Sequence, residues 1–335
     1  MKNMLPVMLL IVMLAFSANA QTSVLNTAPQ FGIWNMSNFV FDNSVDKTPN
    51  TEFRFSSLRF IVTGNATPEV SYHVAADFND ESNKKSVFKQ GWIMYNVNDL
   101  VQLRIGQFKY PFGKETYTSL IYQKFANPSY VLGNIAAKLG NDGGSYRDIG
   151  IEASRKLILT EGISAELKAM VMNGSGPNSP DKNNQKDFVS HLGFQFKDFA
   201  QLGFSHYTGK ANFVTITSDE AAYGTDIAFN YNSLTLQAEY IKSVYKYDSI
   251  KPDEISSGFY FYGVWMPKEK IEVGVRLDSY DRSKAIAEDT ISRLTLLAGY
   301  YFTNKSKITF NYEFRNDESS YKVKDMAVVV FQTAI

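Results

Sequence analysis

The sequence has no cysteine, so the protein forms no disulfide bond and carries no lipid-modified cysteine at its N-terminus. It has only three histidines, His73, His191 and His206, which limits the choice of a zinc ligand or a catalytic base. The sequence also has no excess of either charge, because 34 basic residues balance 34 acidic ones. A nucleic-acid binder normally has a strong basic excess, so the balance argues against that class.

The first 20 residues read as a secretory signal peptide. Lys2 precedes an apolar run from Leu5 to Phe16, and Ala18 and Ala20 occupy the small-residue positions before a cleavage site. The run is too short for a membrane anchor of about 20 residues. No comparable run follows, which excludes a membrane-spanning helix. No domain boundary is visible in the sequence, so residues 21–335 are predicted to form a single mature domain.

The remainder of the chain is rich in aromatic residues and alternates between apolar and polar positions. Ile271 to Leu277 shows the pattern most clearly, and a change of phase near Ser56 and Ser57 indicates a β-bulge. About sixteen such strands fit the sequence. Very short connections (196–199, 230–233, 267–270, 303–305) alternate with long polar ones (174–185, 210–221, 245–254, 281–289).

An exported, cysteine-free chain with this pattern is either a soluble β-protein, such as a sandwich or lectin, or an outer-membrane barrel. Alternation of turn lengths is typical of a transmembrane antiparallel β-barrel, because short turns lie at the periplasmic rim and long loops at the outer one. The sequence therefore predicts an all-β fold in the outer membrane. Apolar residues should face lipid, and polar residues should line a wet lumen that is too wide for side chains to fill. The residues predicted to face the lumen are His73, Asp77, Gln102, Arg104, Glu152, Glu166, Lys168, Gln237, Glu239, Glu272, Arg276, Glu313 and Arg315.

One strand stops abruptly. Leu100 to Lys109 alternates, but the following Tyr110-Pro111-Phe112-Gly113 cannot extend a strand ladder, since proline lacks an N–H and glycine favours turns. About thirty residues without alternation follow. A long irregular segment within a regular β-chain is usually functional.

The residues around this stop resemble the motif of the phosphate-selective porin O and P family. The residues that carry the resemblance are Gly106, Gln107, Phe108, Pro111, Phe112, Gly113 and Glu115. The resemblance implies a sixteen-stranded, homotrimeric porin in the outer membrane of a Gram-negative bacterium. It also implies that a loop, about residues 110–144, folds into the barrel and narrows the pore.

The predicted function is passive diffusion of small hydrophilic solutes, and the resemblance adds anions such as phosphate. No reaction, metal, cofactor or nucleic-acid partner is predicted; the partners are the solutes, membrane lipid and two further copies of the chain. Selectivity would depend on the charge of the pore wall and on pore width. The residues proposed to line the constriction are Arg104, Lys109, Lys114, Lys124, Arg276 and Arg315.

Acidic residues are predicted on the same lumen surface, so the wall carries mixed charge. Two alternatives remain: a barrel that acts as a binding protein or surface receptor, and an outer-membrane hydrolase. A hydrolase would need serine and histidine on one face. The sequence neighbours Ser205 and His206, like Ser190 and His191, point to opposite faces of a strand.

Overall fold

A computed structural model describes residues 28–47, 50–78, 87–141, 146–181, 183–212, 217–247, 252–320 and 322–335. The predicted signal peptide, residues 1–20, lies outside these ranges. Within them, no helix combines the length and the hydropathy that crossing a membrane requires.

The described residues form sixteen antiparallel strands that close into a single barrel, which confirms the predicted fold class. Each strand pairs with its neighbours in sequence, and β1 pairs with β16. The strands are β1 (Gln30–Asp42), β2 (Thr51–Asn65), β3 (Val70–Asp77), β4 (Phe88–Asn98), β5 (Val101–Lys109), β6 (Arg147–Thr160), β7 (Ile163–Met172), β8 (Asp187–Phe196), β9 (Ala200–Asn212), β10 (Thr217–Tyr231), β11 (Leu234–Tyr247), β12 (Glu254–Lys268), β13 (Ile271–Asp281), β14 (Thr290–Thr303), β15 (Ser306–Asp317) and β16 (Met326–Ala334).

The two ends of the barrel differ in their connections, as the sequence predicts. At the short-turn rim, turns such as 161–162, 232–233, 269–270 and 304–305 join one strand to the next. The same rim holds the seam between β1 and β16, where Ile33 N donates to Ile335 O (3.2 Å) and Ile335 N donates to Ile33 O (2.8 Å).

The prediction of a long loop at residues 210–221 is wrong. Residues 210–212 and 217–221 belong to β9 and β10, which remain paired as far as Asn212 and Thr217. Lys210 and Asp219 form a cross-strand ion pair (3.2 Å), so polar residues continue the ladder here. By contrast, the predicted bulge is confirmed. Met36 pairs with Ser57 and Ser37 with Phe55, which leaves Ser56 as the extra residue.

Strand β13 shows which face is which. Ile271, Val273, Val275 and Leu277 are 36–50 % exposed on the outer surface, whereas Glu272, Arg276 and Asp278 are at most 3 % exposed. The alternation therefore places apolar side chains outside and charged ones inside, as predicted.

Part of the inner wall is apolar, although the sequence predicts polar residues along the lumen. An apolar cluster inside the barrel joins inward-facing wall residues, including Met170, Met172, Val189 and Ile241, to the segment between β5 and β6. That segment supplies Val131, Leu132, Ile135 and Leu139. The lumen is apolar at this level because a folded segment of the chain occupies it and buries these side chains.

Candidate functional site

The segment that enters the lumen is the inward loop, residues 110–146, of which 142–145 lie outside the described ranges. It contains the helices α1 (Lys114–Tyr117) and α2 (Tyr130–Asn134) and the 3₁₀ turns Leu120–Tyr122 and Ala136–Asn141. These short helical pieces match the prediction of a non-alternating segment. Tyr110 N donates to Tyr146 O (3.2 Å), and this bond closes the base of the loop at the end of β5.

The glycines and the proline of the motif make the departure from the wall possible. Gly106 lies in β5 with φ 134°, so close to the carbonyl of Gly91 that no side chain would fit. Phe112 N donates to Tyr110 O (2.9 Å), which forms a three-residue turn around Pro111. Gly113 has φ 73°, a conformation that other residues rarely adopt.

Immediately after this turn, the loop attaches to the wall at β9 and β11. Gly113 N donates to Ser205 Oγ of β9 (2.9 Å), and Glu115 N donates to Glu239 Oε2 of β11 (3.2 Å). Lys114 Nζ donates to Gln201 Oε1 at the same level. The start of the loop therefore crosses the lumen and is held by wall side chains.

A serine–histidine pair lies at this attachment. His191 and Ser205 are cross-strand partners on the lumen face, and His191 Nδ1 is 2.9 Å from Ser205 Oγ. Comparison of serines and histidines that are adjacent in sequence missed this pair, whose members lie opposite each other on β8 and β9. Ser205 Oγ accepts the hydrogen bond from Gly113 N. Among the described residues, the His191 ring has no hydrogen bond to a carboxylate. The pair therefore holds the loop and lacks the third member of a catalytic triad.

The loop is also bonded to itself. Glu115 Oε1 accepts from Ser129 N (3.1 Å), Glu115 Oε2 accepts from Ser129 Oγ, and that hydroxyl caps α2 by accepting from Leu132 N (3.3 Å). Burial raises the pKa of the Glu115 carboxyl, while Arg276 and the bonds from Ser129 oppose the shift. The motif glutamate thus joins the first helix of the loop to the second.

Two arginines of the wall hold the middle of the loop, together with two acids; we call Arg276, Asp278, Arg293 and Glu313 the arginine clamp. Arg276 donates to Asn127 O (2.9 Å), and Arg293 donates to Pro128 O (2.6 Å). Asp278 bonds to both arginines and accepts from Tyr130 N (2.8 Å), whereas Glu313 bonds to Arg293 (3.1 Å) and to the side chain of Asn127 (2.9 Å). All four clamp residues are at most 5 % exposed.

Further contacts extend the attachment around the barrel. Ala126 N donates to Asn311 Oδ1 of β15 (3.1 Å), and Gln332 of β16 donates to Ile121 O (2.8 Å). Lys124 of the loop lies 3.4 Å from Glu272 of β13. The inward loop is thus hydrogen-bonded to wall strands on several sides of the lumen.

All six residues proposed for the constriction have a bonded partner within the protein, and for three of them that contact belongs to the wall or holds the loop. Arg104 pairs with Glu152 (2.8 Å) and lies over the ring of Phe108 (3.9 Å). Lys109 Nζ donates to the carbonyls of Thr116 (2.5 Å) and Thr118 (3.0 Å), so it supports the loop from the wall. Arg276 belongs to the arginine clamp.

The other three are more accessible or lie elsewhere. Lys114 and Lys124 line cavities between the loop and the short-turn rim. Arg315 lies at the long-loop rim, where it pairs with Asp42 (2.5 Å) and donates to Lys324 O (2.6 Å). Of the residues proposed from sequence, the two loop lysines are therefore placed beside open space within the barrel.

Two cavities open beneath the loop. The smaller, about 330 Å³, is lined by Lys114, Lys168, Glu166, His191 and Asp226 among others. The larger, about 750 Å³, lies between the loop and strands near the seam, and we call it the lower cavity. Lys114 lines both. In the described part of the chain, no group of three or more possible metal ligands lies together.

Sequence reasoning missed Arg293 and Ser129, which are central to the attachment. Residues 291–302 read as apolar throughout, and the single arginine within that run was the available signal. A charge in an apolar strand needs a buried partner, and Asp278 and Glu313 supply one.

Comparison with known proteins agrees with this geometry. The family model described as phosphate-selective porin O and P matches residues 34–142, which include the motif and most of the inward loop. The predicted resemblance is thereby confirmed. Among curated proteins, none matches the sequence.

Several solved structures share the fold at low sequence identity. An anion-selective porin from Comamonas acidovorans has a TM-score of 0.70 at 13% identity, covering 92% of this chain and 99% of that one. The trimer form of OmpT, an outer membrane protein of Vibrio cholerae, has a TM-score of 0.66 at 9% identity, with coverages of 92% and 99%. OmpF of Salmonella typhi, in complex with daunomycin, has a TM-score of 0.63 at 11% identity, with coverages of 92% and 97%. These likenesses establish the barrel fold.

Proposed function

We propose that this chain, an outer-membrane porin of the phosphate-selective porin O and P type, lets small hydrophilic solutes diffuse through its barrel with the inward loop as the size filter. The observation that carries the proposal is the crossing of the lumen by this loop, bonded to β9 and β11 at its start and to β13–β15 in its middle. A segment held in this way fixes the width of the water path. Conductance of the purified protein in planar bilayers, with polymers of graded size as blockers, tests this function.

We further propose that anions, including phosphate, pass more readily than cations. Lys114 and Lys124 are on the loop itself and line the cavities beneath it. Burial lowers the pKa of the Lys114 ammonium, as does the neighbouring Lys168, whereas Asp226 and Glu239 act in the opposite direction. The family label and the anion-selective neighbour favour the same sign.

Reversal potentials in a potassium chloride gradient test the sign of selectivity. We expect the wild type to favour chloride and the K114E/K124E double variant to shift towards potassium, since charge near a narrow path controls ion access. K322E is the matched control, because Lys322 is an exposed lysine that pairs with Asp46 (2.8 Å) outside the lumen. Equal reversal potentials for all three proteins would refute the role of the loop lysines. Replacing chloride by phosphate in the same gradient tests the phosphate proposal.

The assembly proposed is a homotrimer embedded in outer-membrane lipid of a Gram-negative bacterium. The trimeric OmpT form shows that this fold assembles in that way in another protein. The outward apolar residues, such as Val273 and Leu277, are exposed in the single chain and would be covered by lipid or by neighbouring copies. The mass of the detergent-solubilised protein by light scattering tests the assembly, and a monomer would contradict it.

We also propose that residues 1–20 are removed on export and that residues 21–335 form the mature single-domain barrel. The support is the signal-peptide pattern: Lys2, the apolar run from Leu5 to Phe16, and Ala18 and Ala20 before the cleavage site. N-terminal sequencing of the protein recovered from outer membranes should begin at Gln21. An intact Met1 would contradict this proposal.

A further inference from the structure

The lower cavity combines basic side chains with aromatic ones. Its volume, about 750 Å³, lies within the range of pockets that hold small organic molecules. It is bounded by the inward loop, by the seam strands β1 and β16, and by the short turn 304–305. The cavity therefore faces the short-turn rim, which is the periplasmic side of such barrels.

Four lysines line the lower cavity: Lys114, Lys124, Lys305 and Lys307. None of the lining side chains is acidic, although Ile335, the last residue of the printed sequence, also lines the cavity. Two of the lysine ammonium groups share the buried, inward-facing carboxylate of Glu272, Lys307 Nζ at 2.9 Å and Lys124 Nζ at 3.4 Å. Lys114 lies near the acids Asp226 and Glu239.

The local balance of charge is therefore positive. One carboxylate neutralises one of the two ammonium groups that it contacts, and the exposed Lys305 has no ion-pair partner among the described residues. A concave site with an excess of one charge concentrates ions of the opposite sign. The lower cavity is thus suited to an anion.

The same cavity presents large apolar and aromatic surfaces. Tyr122, Tyr262 and Tyr301 line it, and Tyr122 is 74 % exposed. An inorganic anion would leave these surfaces in contact with water. A ligand with a flat apolar part would cover them and gain the favourable stacking of aromatic rings.

Trp34 adds an unused hydrogen-bond donor. Its side chain is 3 % exposed, and its Nε1 has no hydrogen-bond partner among the described residues. A buried donor without a partner costs free energy unless a ligand or water accepts from it. A carboxylate oxygen is a suitable acceptor.

From these observations we infer that the lower cavity binds organic anions in which a carboxylate is joined to a flat apolar body, that is, aromatic carboxylates. The lysines and Trp34 Nε1 hold the carboxylate, and Tyr122 contacts the body. This inference deepens the proposed function, on which it rests, because it names a class of solute that binds transiently beneath the loop during its passage through the pore.

Benzoate is the probe for the test. Single-channel currents in potassium chloride should fall as benzoate is added, whereas acetate, which lacks the ring, and benzyl alcohol, which lacks the charge, should act only at much higher concentrations. Lys305 and Tyr122 are both exposed, so K305Q and Y122S should leave the wall intact. We expect K305Q to raise the benzoate concentration for half-block about fivefold, the effect of losing one exposed charge contact. We expect Y122S to raise it about threefold or more.

K270Q is the matched control, because Lys270 is an exposed lysine of the same rim that does not line the cavity. A channel that conducts chloride but responds equally to benzoate and acetate overturns the inference and leaves the porin function in place. Identical block of K305Q, Y122S and K270Q also overturns it.

If the protein conducts nothing, the proposed function fails, and ligand-observed NMR of benzoate with the detergent-solubilised barrel then tests the binding. Saturation transfer that K305Q weakens supports the site, and the absence of saturation transfer refutes it.

Discussion

Removing Arg293 tests whether the arginine clamp holds the inward loop. The guanidinium makes four hydrogen bonds: two to Asp278 (3.2 and 3.0 Å), one to Glu313 (3.1 Å) and one to Pro128 O (2.6 Å). It also lies 4.4 Å from the centre of the Tyr130 ring. Methionine retains much of the length and the contact with the ring, but it leaves two buried carboxylates without one of their cations.

Breaking a buried ion pair by removing one partner costs about 3–5 kcal/mol, so we expect R293M to lose that much stability. The double variant R293M/E313Q should recover about 1–2 kcal/mol, since neutral glutamine at position 313 no longer needs a cation. R282M is the matched control. Arg282 is bonded to Asp317 at the rim with a side chain that is 36% exposed, and loss of such a pair costs about 1 kcal/mol or less.

Unfolding in urea after insertion into lipid vesicles, followed by tryptophan fluorescence, measures the stability of each variant. Planar-bilayer recordings give a second measurement, because a loop released at Asn127–Pro128 should raise both the mean conductance and the current noise. Equal stability losses for R293M and R282M, together with unchanged conductance, would refute the clamp.

Two further predictions concern the start of the loop. Burial raises the pKa of Glu115, so the folded protein retains this proton at pH values where the unfolded chain, with a carboxyl pKa of about 4.3, has released it. Stability should therefore fall as pH rises above that value. The variant E115Q should abolish this part of the pH dependence in urea titrations. A pH profile of E115Q that parallels the wild type would count against it. The variant G113A should lose about 1–3 kcal/mol, because Gly113 has φ 73° and an added Cβ would overlap Glu239 Oε1, whereas G133A, where open space surrounds the Cα, should be neutral or slightly stabilising in the same assay.

Most of the wall could be predicted from the sequence, because alternation is a local property of each strand. The strand number, the bulge at Ser56 and the outward face of β13 all follow from it. The motif from Gly106 to Glu115 also predicted where the loop leaves the wall. These features need only neighbouring residues and a general knowledge of backbone preferences.

The interior could not be predicted in the same way, because it depends on contacts between residues far apart in sequence. Met170 and Ile241 face inward against the loop, but alternation alone does not indicate whether an apolar face meets lipid or a folded segment. Arg276 was proposed to line the pore, and the structure places it against Asn127 O. The pairing of His191 with Ser205 likewise depends on the register of two strands.

The seam between β1 and β16 closes the wall by pairing the first strand with the last. Every other neighbouring pair is consecutive along the chain, whereas these two strands come from its opposite ends. Until they meet, each presents an unpaired edge, and bringing them together closes the longest possible loop. Once they are joined, no strand is first or last in the wall. A chain whose ends are linked across Ile33 and Ile335 and reopened in the loop 282–289 should therefore retain every strand pair of the barrel.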